Sequence, residues 1–220
     1  MERGGATEIL SILKRHFAPP AWAHSARTSF QRLIMTVISQ NTNDKNTARA
    51  FESLSRSFPI TPEVLARADA KEIEEPLRVA GLYRNKSKTI KEISRIVLER
   101  FNGSLDFIHS LPLEEARKTL MDIPGVGPKT ADVVLLFCAG KPTVPVDTHV
   151  NRVSKRLGLA PPRADYEETR RSLQALYPPE DYLPVHILLI TLGRRYCQAR
   201  KPFCKACPVN RLCPSGQLEN

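Results

Sequence analysis

Cysteine is almost missing from this sequence until its end. Of the five cysteines in 220 residues, Cys138 stands alone, while Cys197, Cys204, Cys207 and Cys213 crowd into the tail. A secreted scaffold would spread its cysteines as disulfide partners, so this distribution speaks against an oxidising compartment. Long apolar runs are missing as well. None approaches the ~20 residues that a spanning helix needs, and Met1-Glu2-Arg3-Gly4-Gly5 lacks the apolar stretch of a secretory signal. These absences predict a protein that stays inside the cell, cytoplasmic and close to the nucleoid in a prokaryote, with no membrane partner. No segment sustains period-2 alternation, and no low-complexity tract or solenoid repeat occurs, so an all-α fold is expected.

What is present begins with charge. Thirty-three Lys and Arg against 23 Asp and Glu give a net charge of +10 and a pI near 9.6. Such a balance points to a polyanionic partner, with nucleic acid ahead of an acidic membrane surface. An apolar fraction of 41% supplies material for a packed core in one domain or two small ones.

The chain is organised around Ile123-Pro124-Gly125-Val126-Gly127-Pro128-Lys129-Thr130, followed by Val146-Asp147-Thr148-His149. Glycines on both sides of Val126 suit a tight positive-φ turn, and Pro128 suits the first turn of a new helix. The exposed amides and positive end of that helix suit an anion, such as a nucleic-acid phosphate contacted by Gly125, Val126 and Gly127. Lys129 lies in the same first turn, where the macrodipole favours the free amine and makes it a candidate nucleophile. Taken alone it would be a solvated surface lysine. Asp147 follows the stiff Lys141-Pro142-Thr143-Val144-Pro145 connection and precedes Val150, Val153 and Leu157 at helical spacing, which by itself is the pattern of an N-cap.

Leu120–Val134 and Thr143–Val153, with Lys129 and Asp147 at the family's lysine and aspartate, resemble the endonuclease III family of DNA glycosylases in the helix-hairpin-helix superfamily. The resemblance implies an all-helical enzyme with two helical domains and the DNA groove between them. It predicts a helical barrel over residues 24–138, with the hairpin motif at about 112–139, and a second domain made of residues 1–23 and 139–220. The resemblance also implies a monomer acting on duplex DNA that contains damaged bases or abasic sites.

Helical spacing places Ile9, Leu10, Ile12, Leu13 and Phe17 on one face of a first helix that Pro19-Pro20 stops. A second apolar helix with Phe30, Leu33, Ile34, Val37 and Ile38 runs into the polar loop Ser39–Asp44. Asn43 or Asp44 caps the next helix, whose buried face is expected at Ala48, Phe51, Leu54 and Phe58. Gln40 and Asn41 suit a plain capped turn, and also suit filling the space left by an extruded nucleotide and pairing with the orphaned base. Alignment with the family puts its glutamine at Asn41, with Gln40 beside it, and the choice stays open. Leu82, in Gly81-Leu82-Tyr83-x-x-Lys86, is either a loop leucine packed into the core or an apolar wedge between base steps. The resemblance favours the wedge.

Thr61-Pro62-Glu63 and Asp69-Ala70-Lys71-Glu72 open short helices, Asn85–Phe101 is a long amphipathic one, Leu111-Pro112-Leu113-Glu114-Glu115 opens the first hairpin helix and Lys129–Ala139 forms the second. Asp165 caps a helix over Tyr166–Tyr177, and an apolar helix covers Pro184–Tyr196. The tail then reads Cys197-x6-Cys204-x2-Cys207-x5-Cys213, a spacing suited equally to zinc or to an iron-sulfur centre. The resemblance implies a [4Fe-4S] cluster on these four cysteines. Arg200 and Lys201 within the first loop suit phosphate contacts that position DNA without reading its sequence.

Together these readings predict a glycosylase with abasic-site lyase activity on oxidised or damaged pyrimidines. A mismatch uracil/thymine glycosylase is the alternative enzyme, and a non-catalytic helix-hairpin-helix DNA-binding module is the alternative from another class.

Overall fold

The computed structural model describes residues 1–18, 20 and 28–217, and all of its regular structure is helical among them. The stop expected at Pro19 and the domain boundary expected between residues 23 and 24 lie outside the described residues. The chain divides into two compact units, one of residues 26–141 and one that joins residues 1–25 to 142–220.

Helix α1 (Arg3–His16) starts the discontinuous unit and buries Ala6, Ile9, Leu10 and Leu13. Tyr177 donates its buried hydroxyl to the Ala6 carbonyl at 3.1 Å, tying α1 to the distant half of the same unit.

In the 26–141 unit, α2 (Ser29–Ile38) begins with a capping box between Thr28 and Gln31. Asn43 caps α3 (Asp44–Ser57) by accepting the Asn46 N–H. The buried face of α3 is Thr47, Ala50, Phe51 and Leu54, and Ala48 is exposed, which corrects the expected face by one position. Thr47 takes that place because its hydroxyl is satisfied locally by the Asn43 carbonyl at 2.9 Å, so its methyl goes inward at no polar cost. Thr61 and Asp69 cap α4 (Pro62–Arg67) and α5 (Ala70–Leu77), both packed on α6 (Tyr83–Phe101). A single turn, α7 (Phe107–Ser110), precedes the hairpin helices α8 (Leu113–Met121) and α9 (Pro128–Ala139).

One core, including Leu33, Ile34, Val37, Leu54, Ile90, Ile93, Leu120 and Val134, runs through this unit. Helix α9 is its centre, with every residue from Thr130 to Leu136 buried. Arg117 of α8 reaches Asp132 of α9 at 3.0 Å, an ion pair whose carboxylate is fully buried.

The second part of the discontinuous unit contains α10 (Thr148–Arg156), α11 (Tyr166–Leu176) and α12 (Tyr182–Arg195). Gly193 lets α10 and α12 approach closely, since a Cβ there would stand 3.0 Å from His149 and 3.1 Å from Val153. After α12 the chain makes 3-10 turns at Cys204–Ala206 and Asn210–Leu212 and ends in the short α13 (Pro214–Gln217). Among the described residues no helix is long and apolar enough to cross a membrane.

Candidate active-site residues and cysteine-lined cavity

The turn before α9 is anchored by two apolar side chains, Ile123, fully buried, and Val126. The Val126 N–H closes it on the Ile123 carbonyl at 3.0 Å. Only one of its glycines needs the left-handed region. Gly125 has φ +85 and lies so close to α6 that an added Cβ would stand 2.5 Å from the Thr89 methyl carbon. Gly127 is extended at φ −87, ψ 176, and a Cβ there would meet nothing. The two positions look alike in the sequence but answer different demands, one internal to the fold and one facing outward.

Gly127 is the N-cap of α9 and offers no side chain to the first-turn amides, while Pro128 fills the first helical position. The helix therefore begins beside an exposed glycine with first-turn N–H groups that no side chain caps, the arrangement that attracts an anion. Lys129 follows at the second helical position and is half-buried, between the exposed turn and the buried stretch from Thr130 to Leu136.

Gln40 and Asn41 are both exposed in the loop after α2. Gln40 Nε2 lies 3.5 Å from the Gly125 carbonyl, a marginal hydrogen bond that links this loop to the hairpin turn. Asn41 adopts φ 54, a left-handed conformation that asparagine tolerates better than most residues. Leu82 also sits left-handed, at φ 49, and is 55% exposed, so the packed-leucine alternative does not hold. The turn beneath it is braced: Lys86, buried, donates to the Ala80 carbonyl at 2.8 Å, and its burial lowers its pKa. A leucine held in a sparsely populated backbone region and pushed into solvent is unusual in a packed helical unit.

In the discontinuous unit Asp147 is the N-cap of α10, and its Oδ1 accepts the Val150 N–H at 2.7 Å. The simpler structural role is thus realised, and it uses one carboxylate oxygen. Thr143, Val144 and Val146 before it are buried, and His186 Nδ1 lies 2.8 Å from the Pro145 carbonyl. These contacts fix where α10 starts.

Cys197, Cys204, Cys207 and Cys213 line one cavity of about 40 Å³, partly open to solvent, together with Arg156, Tyr196 and Phe203. The five cysteines form no disulfide. Among the described residues no three His, Cys, Asp or Glu side chains converge as they would around a single metal ion. Burial pushes the Cys207 thiol up against a lowering hydrogen bond from the Val209 backbone, and the nearby Cys197 and Cys213 push it the same way. The lining is built from three-residue turns, with Cys207 N–H on Cys204 O, Asn210 N–H on Cys207 O and Cys213 N–H on Asn210 O, each 3.1 Å. Asn210 therefore falls in register with the cysteines, and its buried Oδ1 has no hydrogen-bond partner. Four thiols around one cavity fit an inorganic guest that takes sulfur ligands, whereas the orphaned Asn210 oxygen, an acceptor, is not explained by such a guest.

Arg200 and Lys201 are exposed on the first loop, with Lys201 at φ 53 and Phe203 55% exposed. Sequence reasoning did not single out Phe203, nor Arg152 and Arg156 of α10. Arg152 donates from Nε to the Cys197 carbonyl at 3.0 Å and from Nη2 to the Gly193 carbonyl at 3.1 Å. The one available signal was their spacing, four residues apart on the helix that Asp147 starts.

Residues 34–179 match the HhH-GPD superfamily of base excision DNA repair proteins, which makes this chain a helix-hairpin-helix repair protein. Endonuclease III of Thermotoga maritima is 36% identical over 86% of this chain and 84% of its own length. The Synechocystis endonuclease III is 37% identical over 96% of this chain and 93% of its own. A trapped endonuclease III–DNA covalent intermediate superposes with a TM-score of 0.87 at 31% identity, covering 100% of this chain and 99% of that one. The chain belongs to the endonuclease III family, the DNA glycosylases and abasic-site lyases of base excision repair.

Proposed function

We propose that this enzyme removes oxidised or ring-damaged pyrimidines from duplex DNA and cleaves the strand at the resulting site, with Lys129 as nucleophile. The observation that carries this reading is the position of Lys129, half-buried at the second residue of a helix whose first turn lacks a capping side chain. The related endonuclease III has been captured as a covalent DNA intermediate, which an amine nucleophile accounts for.

In this mechanism the Lys129 lone pair attacks C1′ of the extruded nucleotide. The bond from C1′ to the base breaks, and the base leaves with the bonding electrons and takes up a proton. Opening of the sugar ring converts the C1′ adduct into a protonated Schiff base. That cation acidifies the C2′ proton, whose loss expels the 3′ phosphate by β-elimination, and water then releases the lysine. Asp147, as a carboxylate, stabilises positive charge on the sugar and moves protons. Gly125, Val126 and Gly127 hold a phosphate, and Arg200 and Lys201 position the backbone. Leu82 enters the stack as a wedge, and Gln40 or Asn41 faces the unpaired base. The left-handed Asn41 and the contact from Gln40 to Gly125 favour Asn41 as the residue free to reach the helix.

Cys197, Cys204, Cys207 and Cys213 would hold a [4Fe-4S] cluster. The four cysteines line one cavity, and the endonuclease III family generally carries such a cluster, which supports that group over a single zinc ion. When bound, the cluster supplies a rigid brace for the basic loop, because glycosidic cleavage requires no electron transfer. We read the enzyme as a monomer acting on DNA inside the cell.

Borohydride reduction on abasic duplex DNA tests the nucleophile. The wild-type chain should form a covalent adduct, and Lys129→Ala should lose it while still binding DNA; an adduct in the mutant would assign the chemistry to another amine. Faster excision from G·U than from thymine-glycol duplexes would overturn the substrate assignment.

A further inference from the structure

The cysteine loop is gripped by a residue outside it. Arg156, the last residue of α10, donates from Nη1 to the Gln198 carbonyl at 2.7 Å and from Nη2 to the Ala199 carbonyl at 3.2 Å. The same Nη1 lies 3.5 Å from Cys197 Sγ. Its own carbonyl is 3.4 Å from Cys213 Sγ, so the end of α10 stands between the first and the fourth cysteine. One turn earlier, Arg152 reaches the carbonyl of Cys197 but not its sulfur.

We infer that Arg156 tunes the group bound by the four cysteines: it is a charge-assisted N–H···S donor to the Cys197 ligand that raises the cluster's reduction potential and slows iron loss. This inference rests on the cluster reading above. Adding one electron to a thiolate-ligated cluster increases the negative charge on its sulfurs, so a fixed cation and a hydrogen bond at one sulfur stabilise the reduced form more than the oxidised form. A guanidinium remains charged throughout the accessible pH range, and its planar fork can serve a sulfur and two carbonyls together. Loss of that fork would remove the donor that pins Gln198 and Ala199, opening the loop beside the first ligand.

The test uses purified holoenzyme, with iron and acid-labile sulfide content and the visible spectrum measured first. Direct electrochemistry without DNA then gives the potential, and bleaching by a ferrous-iron chelator gives the rate of loss. Arg156→Met should load, shift the potential to more negative values and bleach several-fold faster. Arg156→Lys keeps the charge but not the fork, so it should bleach nearly as fast with a smaller shift. Arg152→Lys, which alters a contact to a carbonyl, should leave the potential in place. Wild-type potential and bleaching rate in both Arg156 variants would overturn the inference. If Arg156→Met does not load, Arg156→Lys decides alone, since it must differ from wild type in bleaching. Wild-type protein without iron or sulfide would sink the cluster reading itself, whereas a loaded wild type with unshifted variants would sink only the role of Arg156.

Discussion

Between Ile123 and Leu136 the hairpin turn and α9 bury Ile123, Val126, Ala131, Val133, Val134, Leu135 and Leu136. Over the comparable stretch from Cys197 to Cys213, only Val209 is buried. Each buried aliphatic side chain contributes about 1.5–3 kcal/mol, so the hairpin holds its shape by apolar packing. The cysteine stretch has no such support. It relies on three-residue turns and on Arg152 and Arg156, to which the proposed cluster would add. The residue proposed as nucleophile thus stands on a preformed element, while the proposed phosphate contacts Arg200 and Lys201 stand on one that the proposed cluster would brace.

That contrast breaks down if removing a cysteine ligand leaves the tail intact. Cys207→Ser should abolish cluster loading, seen as loss of visible absorption and iron, and should expose residues 198–203 to limited proteolysis. Circular dichroism should retain nearly all of its helical signal, because the core around α9 does not involve the cavity. A loop equally resistant to protease in the mutant would show that the polar clamps suffice alone.

The next effect tests the other side. Arg117→Met would leave the fully buried Asp132 carboxylate without its guanidinium and should destabilise the 26–141 unit by about 3–5 kcal/mol in denaturant unfolding. Replacing both residues, Arg117→Met with Asp132→Leu, should recover most of the loss. Cluster loading should be unchanged in either variant. If loading fell in parallel with stability, the two regions would not be independent.

How much of this could be read from the chain follows from the same physics. The helices were legible because their apolar spacing and caps are local, as with Thr61, Asp69, Asp147 and Asp165. The buried face of α3 was misread because polarity ranked Ala48 above Thr47, whose hydroxyl is satisfied within its own helix. The residues around Leu82 leave its exposure open and only the resemblance favours it, since it depends on a positive φ and on Lys86 bracing the turn from below. Nothing in the sequence beyond their spacing marks Arg152 and Arg156, because their partners lie about 40 residues further on. Candidate site residues were visible through motif spacing, whereas the groups that hold them in place were visible only in three dimensions.

The smallest expected effects separate the two glycines of the hairpin turn. Gly125→Ala places a Cβ at φ +85 and 2.5 Å from the Thr89 methyl carbon, and should cost about 1–3 kcal/mol of stability. Adding Thr89→Ser removes that methyl and should restore the steric part of the loss while leaving the backbone part, a coupling that a double-mutant cycle would measure. Gly127→Ala adds a methyl to extended backbone with open space around it, and should change stability by no more than about 0.5 kcal/mol. If the first turn of α9 takes a DNA phosphate, that same methyl stands where the phosphate must approach, so duplex binding should weaken several-fold with no change in unfolding. Equal DNA affinity in wild type and Gly127→Ala would mean that the outward face of this turn carries no phosphate, and that the second glycine answers to neither fold nor binding.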